Sequence, residues 1–345
     1  MRRFRPAALV FFILSAAAEA RIWYVHPDSA LNSIQAALNS CSAGDTVLVA
    51  AGTYREAISW PARAGLVLMS EAGYGATVID GENRRAGITI SRSPEPGPVI
   101  RGFTFANCFS TLNGGAICAE NCSPTILDNW FEGNAARQAG AVYCAQGSPI
   151  IRRCTFLYNA SMQFPPGAIG LGQSCPALIE SCIVSGSLGG GIGFASGVLT
   201  TIRYCNISGN YGYGVLATGA ATDTADARFN WWGDSTGPYH PLLNPAGRGD
   251  SVSNRVDFRP WLSSPIAVTE PEIEPGHLRP PGSIVCGVLT LNMGDLSSGT
   301  VWLLDITGRR VMLLVKGANS IRHLPAGVYF AKLPGRLLGL VVVKK

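Results

Sequence analysis

The sequence predicts an all-β chain: a parallel β-helix, a solenoid of stacked coils, followed by a small β-sandwich. Two ladders of apolar residues that advance together carry the prediction, with a composition poor in charge and rich in glycine. The first ladder is Ile100, Ile126, Ile151, Ile179 and Ile202, spaced by 26, 25, 28 and 23 residues. The second is Ile117, Val142, Ile169, Ile192 and Val215, preceded by small residues such as Gly114, Gly115 and Ala116. A period in this range built from short β-branched runs and turns marks a solenoid whose coils stack about 4.8 Å apart. Of the 345 residues 14% are charged and 41 are glycine, against about 25% charged in ordinary soluble domains.

The amino terminus has the pattern of an export signal. Arg2, Arg3 and Arg5 precede an apolar run over residues 7–14, and Ala18-Glu19-Ala20 has the small residues that a signal peptidase accepts. The run is about half the 20 residues that a membrane span needs, so residues 1–20 are expected to be a signal peptide, with no transmembrane segment left after its removal. The formal charge of +5 falls to +3 beyond residue 20, 24 basic against 21 acidic residues. That is too weak for nucleic-acid binding.

Next comes a capping element. Asp28 or Ser29 can start a helix through residues 33–38, apolar on one face, and the stretch Gly44-Asp45-Thr46-Val47-Leu48-Val49 reads as a turn into a strand. An amphipathic helix here would cover the open end of the solenoid, which otherwise exposes unpaired strand groups.

The coils align without gaps as VIRGFTF from Val99, TILDNWF from Thr125, IIRRCTF from Ile150, LIESCIV from Leu178 and TIRYCNI from Thr201. Phe105, Phe131, Phe156, Val184 and Ile207 share one inward position. Asn134, Asn159 and Asn210 follow three residues later, where asparagine suits a left-handed turn and hydrogen bonds along the stack. Cys154, Cys182 and Cys205 share a third inward position with Asn129. One coil of separation permits a disulfide, yet a ladder of small buried thiols is the expected arrangement.

The charged residues of the coils set the candidate site. Register puts Asp128 opposite Arg153 and Glu180 between Arg152 and Arg203, while Arg101 has no acid in its own ladder and is expected to be the freest. Opposite charges on adjacent rungs relieve repulsion on a solvated sheet face, so Asp128, Arg152, Arg153, Glu180 and Arg203 are expected to form a surface ion ladder, and these five with Arg101 are the candidate substrate-binding residues. A glycosidase needs two carboxylates about 5 to 9.5 Å apart, and the coil acids are Glu120, Asp128, Glu132 and Glu180. A lyase needs a base; with no lysine or histidine in the coils, arginine, Tyr143, Tyr158 or Tyr204 would have to serve. No cofactor is expected. Calcium is possible, but Asp223, Asp226 and Asp234 match no recognisable metal loop, and His26, His240, His277 and His323 are scattered.

Trp231, Trp232 and Trp261 are expected to plug the last coil. Residues 263–283 are rich in proline and glutamate and read as a linker. Residues 284–345, which hold all four lysines, read as short strands of a small sandwich: IVCGVLTL, TVWLLDI, RRVMLLV, GVYFAKL and LLGLVVVKK.

Residues 33–58, SIQAALNSCSAGDTVLVAAGTYREAI, resemble the opening segment of exported right-handed parallel β-helix proteins of the pectin-lyase-like superfamily, and NWWGDSTGPYHP with VDFRPWL resembles the segment that often ends such helices. LLDITGRRVMLL, HLPAGVYFAKL and the terminal VVVKK resemble the C-terminal sorting domain of type IX secretion cargo. These resemblances imply a right-handed β-helix over residues 21–262 and an address domain that engages the secretion machinery. They imply a secreted, monomeric, cell-surface protein that binds or presents to extracellular polysaccharide. The alternatives are a polysaccharide lyase or glycoside hydrolase, or a structural surface protein.

Overall fold

The computed structural model describes residues 20–195, 199–218 and 224–266, and in the C-terminal part 282–286, 288–291, 301–305, 310–314, 317–320, 323–324, 327–333 and 336–344. The expected signal peptide, apart from Ala20, and most of the expected linker lie outside the described residues.

The body is the predicted parallel β-helix. Three parallel sheets of ten, seven and eight strands run its length. Sheet 1 contains Val99–Arg101, Thr125–Leu127, Ile150–Arg152, Leu178–Glu180 and Thr201–Arg203, in register, so the first isoleucine ladder is one column of fully buried side chains. Sheet 2 contains Thr104–Ala106, Trp130–Glu132, Thr155–Leu157, Ile183–Ser185 and Asn206–Ser208. Sheet 3 contains Ile117–Glu120, Val142–Ala145, Ile169–Leu171, Ile192–Phe194 and Tyr213–Ala217, whose buried members are the second ladder. Coils that carry no isoleucine at the first-ladder position also belong to the stack: Thr46–Val49 and Val67–Ser70 lie on sheet 1 ahead of Val99–Arg101.

The core is built from columns of like residues. Phe105, Phe131 and Phe156 are fully buried and stack face to face, with centroids 5.0 and 4.6 Å apart and ring planes within 7° and 6°. Val184 and Ile207 continue the column. Asn206 pairs with Trp231, which sets the fully buried Trp232 one rung beyond Ile207. Trp261 packs half-buried against Phe258. The last coil is thus plugged by Trp232, with Trp261 packed half-buried against the core, while Trp231 takes the alternate position of the strand and stays out of the core.

Each coil bends through single residues with left-handed backbone. Gly102, Asp128, Arg153, Ser181, Tyr204 and Phe229 form the corner between sheets 1 and 2, and Asn107, Gly133, Tyr158, Gly186 and Gly209 the corner after sheet 2. The asparagine ladder is therefore corrected: Asn134, Asn159 and Asn210 are not left-handed but stand just past these corners, fully or nearly buried. Their amides hold the corner backbone together. Asn159 Oδ1 accepts from the Asn134 backbone N–H (3.1 Å) and Asn134 Nδ2 (3.0 Å), while its own Nδ2 donates to the Phe131 carbonyl (3.0 Å). Ser187 takes this position in the next coil, and at the end Asp250 accepts from Asn210 N and Nδ2.

The thiol ladder is present. Cys154, Cys182 and Cys205 are buried free thiols that donate to backbone carbonyls, between Asn129 on one side and Asn230, which accepts from Cys205 N (2.8 Å), on the other. The nine cysteines of the described residues for which a state is established are all free.

The capping helix spans Ile34–Ser40, with Ile34, Ala37 and Leu38 buried in the end of the core. Its N-cap is Ser33, not Asp28 or Ser29. Ser33 Oγ accepts from Ala36 N, and the Glu56 carboxylate accepts from Ile34 N (2.9 Å), Gln35 N (3.0 Å) and Ser33 Oγ (2.7 Å). Residues 26–31 are instead closed into a turn by His26 N to Leu31 O and Ser29 N to His26 O bonds, so the helix starts later. A carboxylate at a helix N-terminus satisfies donors that have no partner within the helix.

In the C-terminal part a mixed five-stranded sheet has the spatial order Gly282–Cys286, Arg336–Lys344, Gly327–Leu333, Val301–Asp305, Arg310–Leu314, and Val288–Leu291 pairs antiparallel with Gly317–Ser320. The expected strand IVCGVLTL divides between the two sheets, and its first half begins at Gly282.

Candidate glycan-facing cleft

The six charged residues singled out in the sequence do come together on sheet 1, as two ion triads. Arg153 bridges Asp128 through Nε (2.6 Å) and Nη2 (3.1 Å), and Arg101 Nε reaches the same carboxylate at 2.9 Å. The Glu180 carboxylate lies between Arg152 Nε (2.8 Å) and Arg203 Nε (2.9 Å). The expectation that Arg101 stands free is overturned: its ladder neighbour is Leu127, but the side chain crosses to Asp128 at the corner. Burial pushes the Asp128 carboxyl up, yet hydrogen bonds from Arg153 and the charges of Arg153 and Arg101 outweigh it and hold the group below the usual carboxylate range. Both carboxylates are thus saturated by arginine. Arg228 continues the pattern with Asp226 (2.8 Å).

A cleft lies elsewhere, on the outer face of sheet 3. Its volume is about 440 Å³. The floor follows from strand register: Cys118, Tyr143, Gly170 and Gly193 occupy one outward column, and the glycines leave space that side chains from neighbouring segments fill. A Cβ on Gly172 would stand 2.5 Å from the Tyr143 hydroxyl, and one on Gly193 would stand 2.8 Å from Pro166. Tyr143 therefore lies across the next coil, over Gly172, and Pro166 over Gly193. Gln138, Pro165 and Pro166 line one margin, Gln146 and Gln173 another, and Glu120 and Thr218 also line the cleft. A second cleft of about 240 Å³, lined by Tyr213, Ala217, His240 and Arg255 among others, follows it along the stack. Ala217 lines one and Thr218 the other, so the two are consecutive. From Ile117–Glu120 to Ser251–Val252 they span six strands of sheet 3, five intervals, or roughly 24 Å.

Among the described residues, the polar groups that line the cleft are carboxamides, hydroxyls and one carboxylate, Glu120, with no cation among them. Burial, and next the Glu120 charge, raise the Tyr143 pKa, so its hydroxyl stays protonated and donates. This is opposite to what a lyase base needs. Tyr158 and Tyr204, the other two tyrosines considered for that task, sit at corners away from this cleft, with Tyr204 stacked on Phe229. Of the four coil acids, Asp128 and Glu180 are held by arginine, and Glu132 is buried on sheet 2, where it accepts from Trp130 Nε1 (2.9 Å). Glu120 alone of the four lines the cleft. The sequence reading named Glu120 and Tyr143 but not their shared cleft. A signal was present in the 28-residue spacing between Ile151 and Ile179, the longest of the set, which carries Pro165, Pro166 and Gln173.

Other candidate groups have structural duties. Asp226 is paired with Arg228, Asp234 accepts from Thr236, and Asp223 lies outside the described residues. Among the described residues no three His, Cys, Asp or Glu side chains are placed to hold a metal ion. His240 Nδ1 accepts from Leu242 N and Leu243 N while Nε2 pairs with Asn254, so both nitrogens are engaged. His277 lies outside the described residues, and His323 is exposed.

Residues 63–229 match the family model described as "Right handed beta helix region". The match fixes the hand of the solenoid, which is a right-handed parallel β-helix. Among solved structures, the chain is similar to pectate lyase Pel9A, at 13% identity and a TM-score of 0.38, over 72% of this chain and 80% of that one. No curated protein matches the sequence.

Proposed function

We propose that this is an exported, cell-surface β-helix protein that binds extracellular polysaccharide along the outer face of sheet 3. The observation that carries this reading is the cleft itself. An aromatic ring, Tyr143, lies over a glycine floor between margins of glutamine, and the cleft is continued along the stack by a second one. Aromatic faces pack against the apolar faces of sugar rings, and carboxamides and hydroxyls exchange hydrogen bonds with sugar hydroxyls. Shallow repeated contacts of this kind suit an extended chain that crosses several coils. Export and surface attachment rest on the N-terminal signal and on the resemblance of residues 284–345 to a sorting domain.

The test is binding of the mature protein to immobilised and soluble polysaccharides, with two double variants. Binding lost in Gln146→Ala/Gln173→Ala and kept in Arg152→Ala/Arg203→Ala supports the cleft; the reverse pattern moves the site to the sheet 1 ladder and refutes the assignment.

A second reading, a polysaccharide-cleaving enzyme, is favoured by one observation: Glu120 and the protonated Tyr143 hydroxyl face the same cleft, an acceptor beside a donor. Unsaturated products seen by ultraviolet absorbance, or new reducing ends, would establish it.

A further inference from the structure

Resting on the reading that the sheet 3 cleft binds glycan, we propose that it selects neutral, hydroxyl-rich chains and discriminates against polyuronates. The charge distribution carries the argument. Among the described residues that line the first cleft, the ionisable groups are the Glu120 carboxylate and the Tyr143 phenol, and the remaining polar side chains are Gln138, Gln146, Gln173 and Thr218. Among the described residues no arginine, lysine or histidine lines it; Arg137, exposed one residue before Gln138, belongs to the coil of Tyr143 but is not among the lining residues. From residue 154 to residue 227 the sequence contains one basic residue, Arg203, and that arginine is bound to Glu180 on sheet 1.

A chain of uronates carries one carboxylate per sugar. Bound here, it would bring those charges next to Glu120 with no guanidinium or ammonium in the lining to neutralise them, and partial removal of water would strengthen the repulsion. Recognition of a carboxylate ordinarily uses arginine in a fork geometry, and Arg101, Arg152, Arg153 and Arg203 are committed to Asp128 and Glu180 on the other face. A neutral chain meets no such cost. Carboxamides offer a donor and an acceptor in one group, the pattern that matches a hydroxyl, which is itself both. Arg255 lines the second cleft, so the selection applies to the first, around Glu120.

The experiment titrates the mature protein and its Glu120→Gln variant, by calorimetry at low ionic strength, with neutral hexasaccharides (glucan, xylan and mannan fragments) and with hexamers of galacturonate and mannuronate. Thermal melts confirm that the variant is folded. The expected result is at least about tenfold tighter binding of a neutral chain than of either uronate, with a gap that closes in Glu120→Gln through a gain in uronate affinity. Uronate binding equal to or tighter than neutral binding in the wild type overturns the selectivity while leaving the glycan-binding reading in place. A neutral preference that persists undiminished in Glu120→Gln overturns the role of Glu120. Failure to bind any of the chains overturns both the selectivity and the reading beneath it.

Discussion

Tyr143 occupies the space that a side chain on Gly172 would need: a Cβ there would stand 2.5 Å from the tyrosine hydroxyl and 2.9 Å from the Ala145 methyl. The glycine and the tyrosine sit on successive coils, so the shape of the cleft floor depends on a pair that only stacking brings together. Gly172→Ala should push Tyr143 off the floor and weaken glycan binding about tenfold, at a stability cost of about 1 to 3 kcal/mol because the Ala145 methyl cannot swing aside. Titration with a bound glycan, alongside a thermal melt, checks this; unchanged affinity would count against Tyr143 as a platform.

Glu180 stands between two guanidiniums, and Glu180→Gln leaves Arg152 and Arg203 without their counter-charge. With the arginines more than a third exposed, solvent screening limits the loss to about 1 to 2 kcal/mol. Asp128→Ala should cost about 1 kcal/mol for the same reason. Denaturant melts should show both losses shrinking in high salt; neither substitution should alter glycan binding if the cleft on sheet 3 is the site.

Glu132 gives the fold a pH dependence of definite sign. Burial raises its pKa to about 7, with the Trp130 hydrogen bond opposing only in part. The folded state therefore holds a proton that the unfolded chain, with an ordinary glutamate, releases earlier. Its contribution to stability is fully present below the unfolded value of about 4.3 and is lost as pH rises through about 7, by about 3 to 4 kcal/mol in all. Glu132→Gln should remove that slope and be more stable than the wild type at pH 8. A melt series from pH 5 to pH 8 with parallel curves for the two proteins would exclude it.

Asn159 is fully buried and its side chain bonds at three points to the coil before it. Asn159→Ala leaves the Asn134 backbone N–H without its partner and removes one bond each from the Phe131 carbonyl and from Asn134 Nδ2, which keeps the Phe105 carbonyl, and this should cost about 2 to 3 kcal/mol. Asn159→Asp, which keeps the acceptor but not the donor, should be intermediate or worse if the buried carboxylate stays ionised. Chemical denaturation reads both; a loss under about 1 kcal/mol in the alanine variant would mean that water replaces the amide.

The repeat was legible because the inward residues of a solenoid must match their neighbours above and below. Ile100 to Ile202, Phe105 to Ile207 and the Cys154 column all stack as the alignment implies. Corners were less legible. Asparagine's tolerance of the left-handed region suggested Asn134 and Asn159, whereas the structure puts that strain one residue earlier, on Gly133 and Tyr158, and uses the asparagines as buried braces. Arg101 was misplaced because register describes straight columns, and a long side chain at a corner reaches diagonally. The cleft was the least legible feature. Its margins come from turns such as the one carrying Pro165 and Pro166, whose length varies from coil to coil and which no ladder aligns.

The thiol column has asparagine at both ends, Asn129 before Cys154 and Asn230 after Cys205, so within this column every coil between them offers the same upper and lower surface. In this column the coils are interchangeable parts. A tandem duplication or loss of one whole unit between Asn129 and Asn230 would leave the thiol seam matched and change the number of rungs under the cleft. Descent by unequal crossing-over could thus alter the length of the sheet 3 face while the thiol column stays intact.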